Sequence, residues 1–341
     1  MERRLGFRNN MDYSRFKFRS DFNMGSYRKY IRKLKESGAI EIEHVGKNLQ
    51  KRKQRQRAKE AIKAIHDQDM KAILYTGIFG GINISGDSEL RRFAQRNKDG
   101  KILSYQNGGE ASAMMCPSSK YIEHFVIPQI NRTLEFADYD GIFLDIPWIM
   151  HGGCDCNNCY ELREDQEAEG KSNNEINAAN VRHGLEKFVK EMKKNHPYVK
   201  ISINASAPTI YTHKWHGAEI DNLAGLFDQY VTEWNPLRTR QNVSVVTRCI
   251  EKAIETVEGI EKIEGIQQTP EFYHATTCTD GNRKVYPAEK LSGLFHAILE
   301  GGALPRLGVA FGNDGLGIIK EAWHSAVEMY KKTTKKEKLF C

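Results

Sequence analysis

Short runs rich in β-branched and aromatic residues alternate along the chain with longer stretches whose apolar positions recur every three or four residues. Eight runs read as strands: FKFRSDF (16–22), AIEIEHV (39–45), KAILYTGIF (71–79), DGIFLDI (140–146), VKISINA (199–205), FDQYVTEW (227–234), IEGIQQT (263–269) and ALPRLGVAF (303–311). Between them lie amphipathic helical patterns. In NVRHGLEKFVKEMKKNHP, Val181, Leu185, Phe188, Val189 and Met192 share one face and Pro197 follows, while YRKYIRKLKESG closes on Gly38. Strand-then-helix order repeated eight times implies parallel strands joined by crossover helices, and the predicted fold is α/β, a single (β/α)8 barrel over 1–341 with 1–12 and 332–341 as peripheral tails. A doubly wound open sheet is the alternative. It normally carries a glycine-rich phosphate loop after the first strand, where DFNMGSYRKY has only Gly25. Long connections are expected after the third strand (80–138) and the fourth (147 to about 177), neighbours around a barrel and therefore a roof for its pocket.

Composition changes this picture little. Apolar residues make up 40% and charged residues 28%, values of a globular chain with material for a core. The formal charge of +7 is local, because residues 1–70 carry 19 Lys/Arg against 9 Asp/Glu. Its densest part, Lys47 to Lys59, runs into the helical spacing Ala58, Ile62, Ile65 and reads as a solvated helix start, so nucleic acid is not the expected partner. No apolar run reaches the roughly 20 residues of a membrane span, and the first residues lack the apolar core of a signal peptide. The expected location is the cytoplasm, where seven cysteines would be reduced; a homo-oligomer is left open.

Three of those cysteines, Cys154, Cys156 and Cys159, form C-x-C-x2-C just after the fourth strand. Tetrahedral structural zinc needs a fourth ligand, and Cys116, on the connection after the third strand, is the one that a barrel brings alongside. Four thiolates would leave no open coordination position. His151 in place of one cysteine would instead leave room for a catalytic metal, and plain thiols or a disulfide are the remaining readings.

Barrel chemistry sits where strands end, so three carboxylates stand out as catalytic candidates: Asp145 and Glu233, ending the fourth and sixth expected strands, and Glu271, following the seventh. A nucleophilic carboxylate with a second carboxyl about 5–5.5 Å away suits retaining glycoside hydrolysis. Aromatic and polar residues near strand ends, Tyr75, Trp148, Asn204, His213, Trp215 and Trp234, with Asp21 and His44, are candidates for stacking on sugar rings and bonding their hydroxyls; Arg19, Tyr211 and Phe272 lie in similar places.

The pattern DGIFLDIPW…CDCNNC, preceded by MMCPSSKYIEHFVIPQI, resembles the glycoside hydrolase barrels of the α-fucosidase-like and family 42 β-galactosidase-like groups. The family 42 likeness implies a structural zinc on Cys116, Cys154, Cys156 and Cys159. Family 42 enzymes end strand four in Asn-Glu, whereas this chain has Leu144-Asp145. An aspartate nucleophile at strand four is instead a feature of the α-fucosidase- and α-galactosidase-like barrels, which implies Asp145 as nucleophile and Glu233 as acid/base. The resulting expectation is a retaining, exo-acting glycosidase on a carbohydrate substrate, such as α-linked fucose or galactose. A non-catalytic carbohydrate-binding barrel and a zinc-dependent hydrolase are the alternatives.

Overall fold

A computed structural model describes residues 6–10, 24–45, 52–105, 108–150, 153–205, 217–233, 236–266, 270–280, 284–308 and 313–340. Eight parallel strands close into a barrel in chain order: β1 (Phe7–Asn10), β2 (Ala39–Val45), β3 (Lys71–Gly77), β4 (Gly141–Asp145), β5 (Lys200–Asn204), β6 (Gln229–Glu233), β7 (Glu271–Thr277) and β8 (Leu304–Gly308). Closure is made by β1 against β8, with Arg8 opposite Arg306, which excludes the open doubly wound sheet. Helices fill the crossovers, among them Met24–Glu36, Arg52–His66, Ile127–Phe136, Asn173–Asn195, Ser244–Glu264, Ala288–Glu300 and Asn313–Phe340. Among the described residues no helix is long and apolar enough to cross a membrane.

The strands alternate sharply between two environments. In β4, Ile142, Phe143 and Leu144 are all fully buried, but Phe143 shares the inner face with Asp145, Phe143 under the Arg306 guanidinium at 4.2 Å and Asp145 bonded to Tyr75 of β3. That inner face is unusually polar for a barrel, whose interior is more often filled by Val, Ile and Leu. Arg8 donates from Nε to Glu41 Oε2 at 2.7 Å, from Nη2 to Gln229 Oε1 at 2.6 Å and from Nη1 to Ser202 Oγ at 3.2 Å, and lies over the Tyr273 ring at 4.1 Å. Arg306 donates to both oxygens of Glu43, at 2.6 and 2.7 Å. Ions removed from water cost several kcal/mol each unless their hydrogen bonds are replaced, and these two guanidinium groups are surrounded by acceptors.

Two strands depart from the sequence expectation. β1 is Phe7–Asn10, inside the stretch expected to be a tail, and Phe16–Phe22 lies outside the described residues. Its inward residue is Arg8, so it offers no apolar alternation to read. β7 is Glu271–Thr277 rather than 263–269, because the pattern of IEKIEG continues the preceding helix to Glu264. Gly265 stops that helix in the left-handed region, at φ 68°, where its lack of a Cβ makes the turn cheap. Helical structure at the C-terminal end likewise runs to Phe340, into the segment expected as a tail.

Candidate functional site

The displacement of β7 decides the fate of Glu271. As the first residue of its strand it lies at the N-terminal face of the barrel, where Lys200 and Gln229, the first residues of β5 and β6, bond its two oxygens at 2.8 and 2.6 Å. Burial alone would raise its carboxyl, but these bonds hold it below the usual carboxylate range. Glu271 is therefore a closure element at the bottom of the barrel, not a group at the mouth. Phe272 is also structural, buried and stacked on Tyr230 at 5.8 Å between ring centres.

Asp145 and Glu233 end β4 and β6 and meet at the opposite face. Asn204, the last residue of β5 between them, donates from one amide nitrogen to Asp145 Oδ1 at 2.8 Å and to Glu233 Oε2 at 3.1 Å. The two carboxylate oxygens are thus no farther apart than the sum of those distances. Asp145 takes two further donors: the Tyr75 hydroxyl on Oδ2 and the backbone N–H of Ile146 on Oδ1 at 2.9 Å. Burial, then the Asp145 charge, pushes the Tyr75 phenol well above its ordinary value, which keeps it a donor. A cation stands one inward step deeper. Burial opposes the charge on Arg306, but Glu43, then Asp145 and Glu233, hold its guanidinium above the ordinary range.

The chain turns abruptly after Asp145. Ile146 has φ 55°, a left-handed conformation that costs a β-branched residue about 1–3 kcal/mol. Gly80 makes room for it, since a Cβ there would overlap Ile146 Cγ2 and approach Met114 Sδ. Trp148 follows, half-buried, with its ring 6.3 Å from that of Tyr105. His44 lies on β2 opposite Leu74, its side chain outside the described residues, as are Arg19, Asp21, His151, Tyr211, His213, Trp215 and Trp234 altogether.

Beside this turn the four cysteines converge. Cys116, Cys154, Cys156 and Cys159 are buried, with all four sulfurs within 4.8 Å of one another. Cys116 Sγ lies 3.2 Å from that of Cys159 and 3.5 Å from that of Cys156, and all four thiols are free. Tetrahedral zinc with Zn–S bonds of about 2.3 Å needs sulfurs about 3.8 Å apart, so the cluster fits a metal ion of that kind without a fifth donor. Around it, Ser119 Oγ bonds the Cys116 carbonyl at 2.6 Å, and Arg163 bonds Asp155 at 2.7 Å and the Cys154 carbonyl at 3.0 Å.

Of the residues singled out from the sequence, the structure brings Asp145, Glu233, Asn204 and Tyr75 together and gathers the four cysteines; two further residues had not been singled out. Arg306 and Gln95 are both buried. Gln95, in the connection after β3, donates to the carbonyls of Met115 at 3.0 Å and Trp148 at 3.4 Å and accepts from Met150 N–H at 3.0 Å. Neither has a local signature: each is defined by partners far along the chain.

No family model matches the sequence, and no curated protein matches it. Solved structures do match its fold. Alpha-L-fucosidase isoenzyme 2 from Paenibacillus thiaminolyticus superimposes with a TM-score of 0.64 at 15% identity, over 97% of this chain and 50% of that one. The glycoside hydrolase domain of PgaB (BpsB) from Bordetella bronchiseptica gives 0.65 at 8% identity, over 94% and 98%. The β-galactosidase of Halorubrum lacusprofundi gives 0.65 at 12% identity, over 96% and 58%. The chain spans half the length of the fucosidase and somewhat more of the β-galactosidase. What these neighbours have in common with the chain is the barrel fold.

Proposed function

We propose that this protein is a retaining, exo-acting glycoside hydrolase in which Asp145 is the nucleophile and Glu233 the acid/base. The observation that carries the reading is the single Asn204 amide spanning both carboxylates. If each N–H points at its acceptor, the oxygens are about 5 Å apart, near the 5–5.5 Å of retaining pairs and short of the roughly 6.5–9.5 Å that inverting enzymes need for an intervening water. In the first step an Asp145 oxygen bonds the anomeric carbon as the glycosidic bond breaks, and Glu233 delivers its proton to the leaving oxygen. In the second, Glu233 takes a proton from water, whose oxygen displaces Asp145 and restores both groups. Glu233 is exposed while Asp145 is half-buried, which suits a proton exchanger and an anchored nucleophile respectively. Solved neighbours named for fucosidase and galactosidase activity make terminal fucose or galactose the first substrates to test.

Zinc on the four thiolates would be structural. When bound, such an ion supplies a closed cross-link between the connections after β3 and β4 and no site for water activation. A zinc-dependent hydrolase would require an open position that this donor set does not offer. A non-catalytic sugar-binding barrel would tolerate carboxyls beyond about 10 Å, a spacing incompatible with a shared amide.

The test is hydrolysis of a panel of aryl glycosides, including α-L-fucosides and α- and β-D-galactosides. Asp145→Asn is expected to lower kcat about a thousand-fold or more. Glu233→Gln should spare substrates with good leaving groups, and azide should rescue it to a glycosyl azide of retained configuration. Full activity in Asp145→Ala would refute the assignment.

A further inference from the structure

We infer that Gln95 is a positioning residue that couples order at the four-cysteine site to the turn following Asp145. The connection is a closed circuit of hydrogen bonds. Ile78 N–H donates to the Asp145 carbonyl at 2.8 Å and Phe79 N–H to the Ile146 carbonyl at 3.3 Å, while the Phe79 carbonyl accepts from Met115 N–H at 2.6 Å. Gln95 takes the path onward: its Nε2 reaches the Met115 and Trp148 carbonyls, and its Oε1 receives Met150 N–H. From Met150 the backbone returns to Ile146 in four residues. Every link of this ring is a main-chain group except the Gln95 carboxamide.

The cysteines grip the ring from outside at two points. Cys116 is the residue after Met115, and its N–H bonds the Phe93 carbonyl at 2.8 Å. Asp155, between Cys154 and Cys156, donates its N–H to the carbonyl of Arg96, the neighbour of Gln95, at 2.7 Å. Gly153 N–H bonds the Met150 carbonyl at 3.0 Å, tying the start of the cysteine loop to the end of the turn. Drawing the four sulfurs onto one ion therefore fixes both sides of the ring, and the carboxamide joins those sides. Within the ring lies Ile146, whose left-handed backbone relaxes unless its surroundings hold it. A buried amide with three partners gains its strength only when all three are in place, which makes Gln95 a sensor of the geometry on both sides.

The consequence for catalysis rests on the role proposed for Asp145, but the coupling does not. Coupling is reciprocal: if zinc orders the turn through Gln95, loss of the Gln95 bonds must weaken zinc binding by the same factor. The full-length protein and its Gln95→Leu and Gln95→Glu variants would be titrated with zinc(II) against a chromophoric chelator, and amide exchange read by mass spectrometry for peptides covering 146–150, with and without zinc. Zinc is expected to slow exchange in 146–150 of the unmodified protein. Gln95→Leu should bind zinc about ten-fold more weakly and lose that zinc-dependent protection, with partial recovery in Gln95→Glu, which keeps the acceptor for Met150. Equal zinc affinity in Gln95→Leu, or exchange in 146–150 that ignores zinc in the unmodified protein, overturns the inference. The second measurement can overturn the inference even if the variants do not fold. Aryl glycoside hydrolysis is scored separately, so a coupled but inactive protein would count against the proposed function alone.

Discussion

Asn204 commits both N–H bonds of its amide to carboxylates, which changes the role expected for it. Read from the sequence it was a group near a strand end that could recognise a sugar hydroxyl; in the barrel it sets the spacing of the proposed catalytic pair. The sequence contained the strand KISIN and its end, but the acceptors lie 59 and 29 residues away, and only barrel closure brings them to one nitrogen. Removing the amide should therefore act on chemistry more than on binding. Asn204→Ala is expected to lower kcat on an aryl glycoside by about a hundred-fold with a smaller change in KM, since a donor aimed at reacting groups is worth that order of magnitude. A rise in KM with kcat unchanged would return Asn204 to the substrate-recognition role.

At the level of elements, β1 is the most instructive strand. Four residues, FRNN, give it little apolar surface, yet it closes the barrel between β2 and β8. What holds it is the Arg8 side chain, which reaches Glu41 of β2, Ser202 of β5 and Gln229 of β6 across the interior. This explains why the hydrophobic pattern found six of the strands closely and misplaced this one: a strand whose inward position is a cation is invisible to apolar periodicity. The seventh was misplaced for a different reason, since an isoleucine–glutamate alternation also fits the last turn of a helix. If Arg8 anchors β1, Arg8→Met should take from Glu41 its buried partner, leaving it Lys71 at 3.8 Å at the barrel end, and destabilise the protein by about 3 kcal/mol in urea denaturation. Adding Glu41→Gln should recover much of that loss, because the penalty belongs to a buried carboxylate that has lost its closest partner. A single variant as stable as the parent would show that β1 is held by other means.

Over the whole molecule, the alternation of strand and helix carried the closed barrel legibly, while the polarity of its interior was not readable because no single strand announces which face turns inward. That interior and its surrounding shell bury a set of phenols. Tyr75, Tyr121, Tyr139, Tyr230 and Tyr273 are all raised above the ordinary tyrosine value, burial being the largest cause in each. For an acid whose folded value is raised, the native state keeps a proton that the unfolded chain releases. Its stabilising effect is intact below the unfolded value of about 10 and is lost as pH rises beyond it. Each such group removes at most about 1.4 kcal/mol per pH unit, so five together remove about 7 kcal/mol per unit, comparable with the whole stability of an ordinary domain. Unfolding is therefore expected as one cooperative step between about pH 11 and 12. In phenolate absorbance at 295 nm the buried set should ionise in step with the loss of far-ultraviolet dichroism. If absorbance reached its full value while the dichroism stayed native, the buried phenols would be accessible to hydroxide in the folded barrel, and the closed interior described for this chain would have to be open at one end.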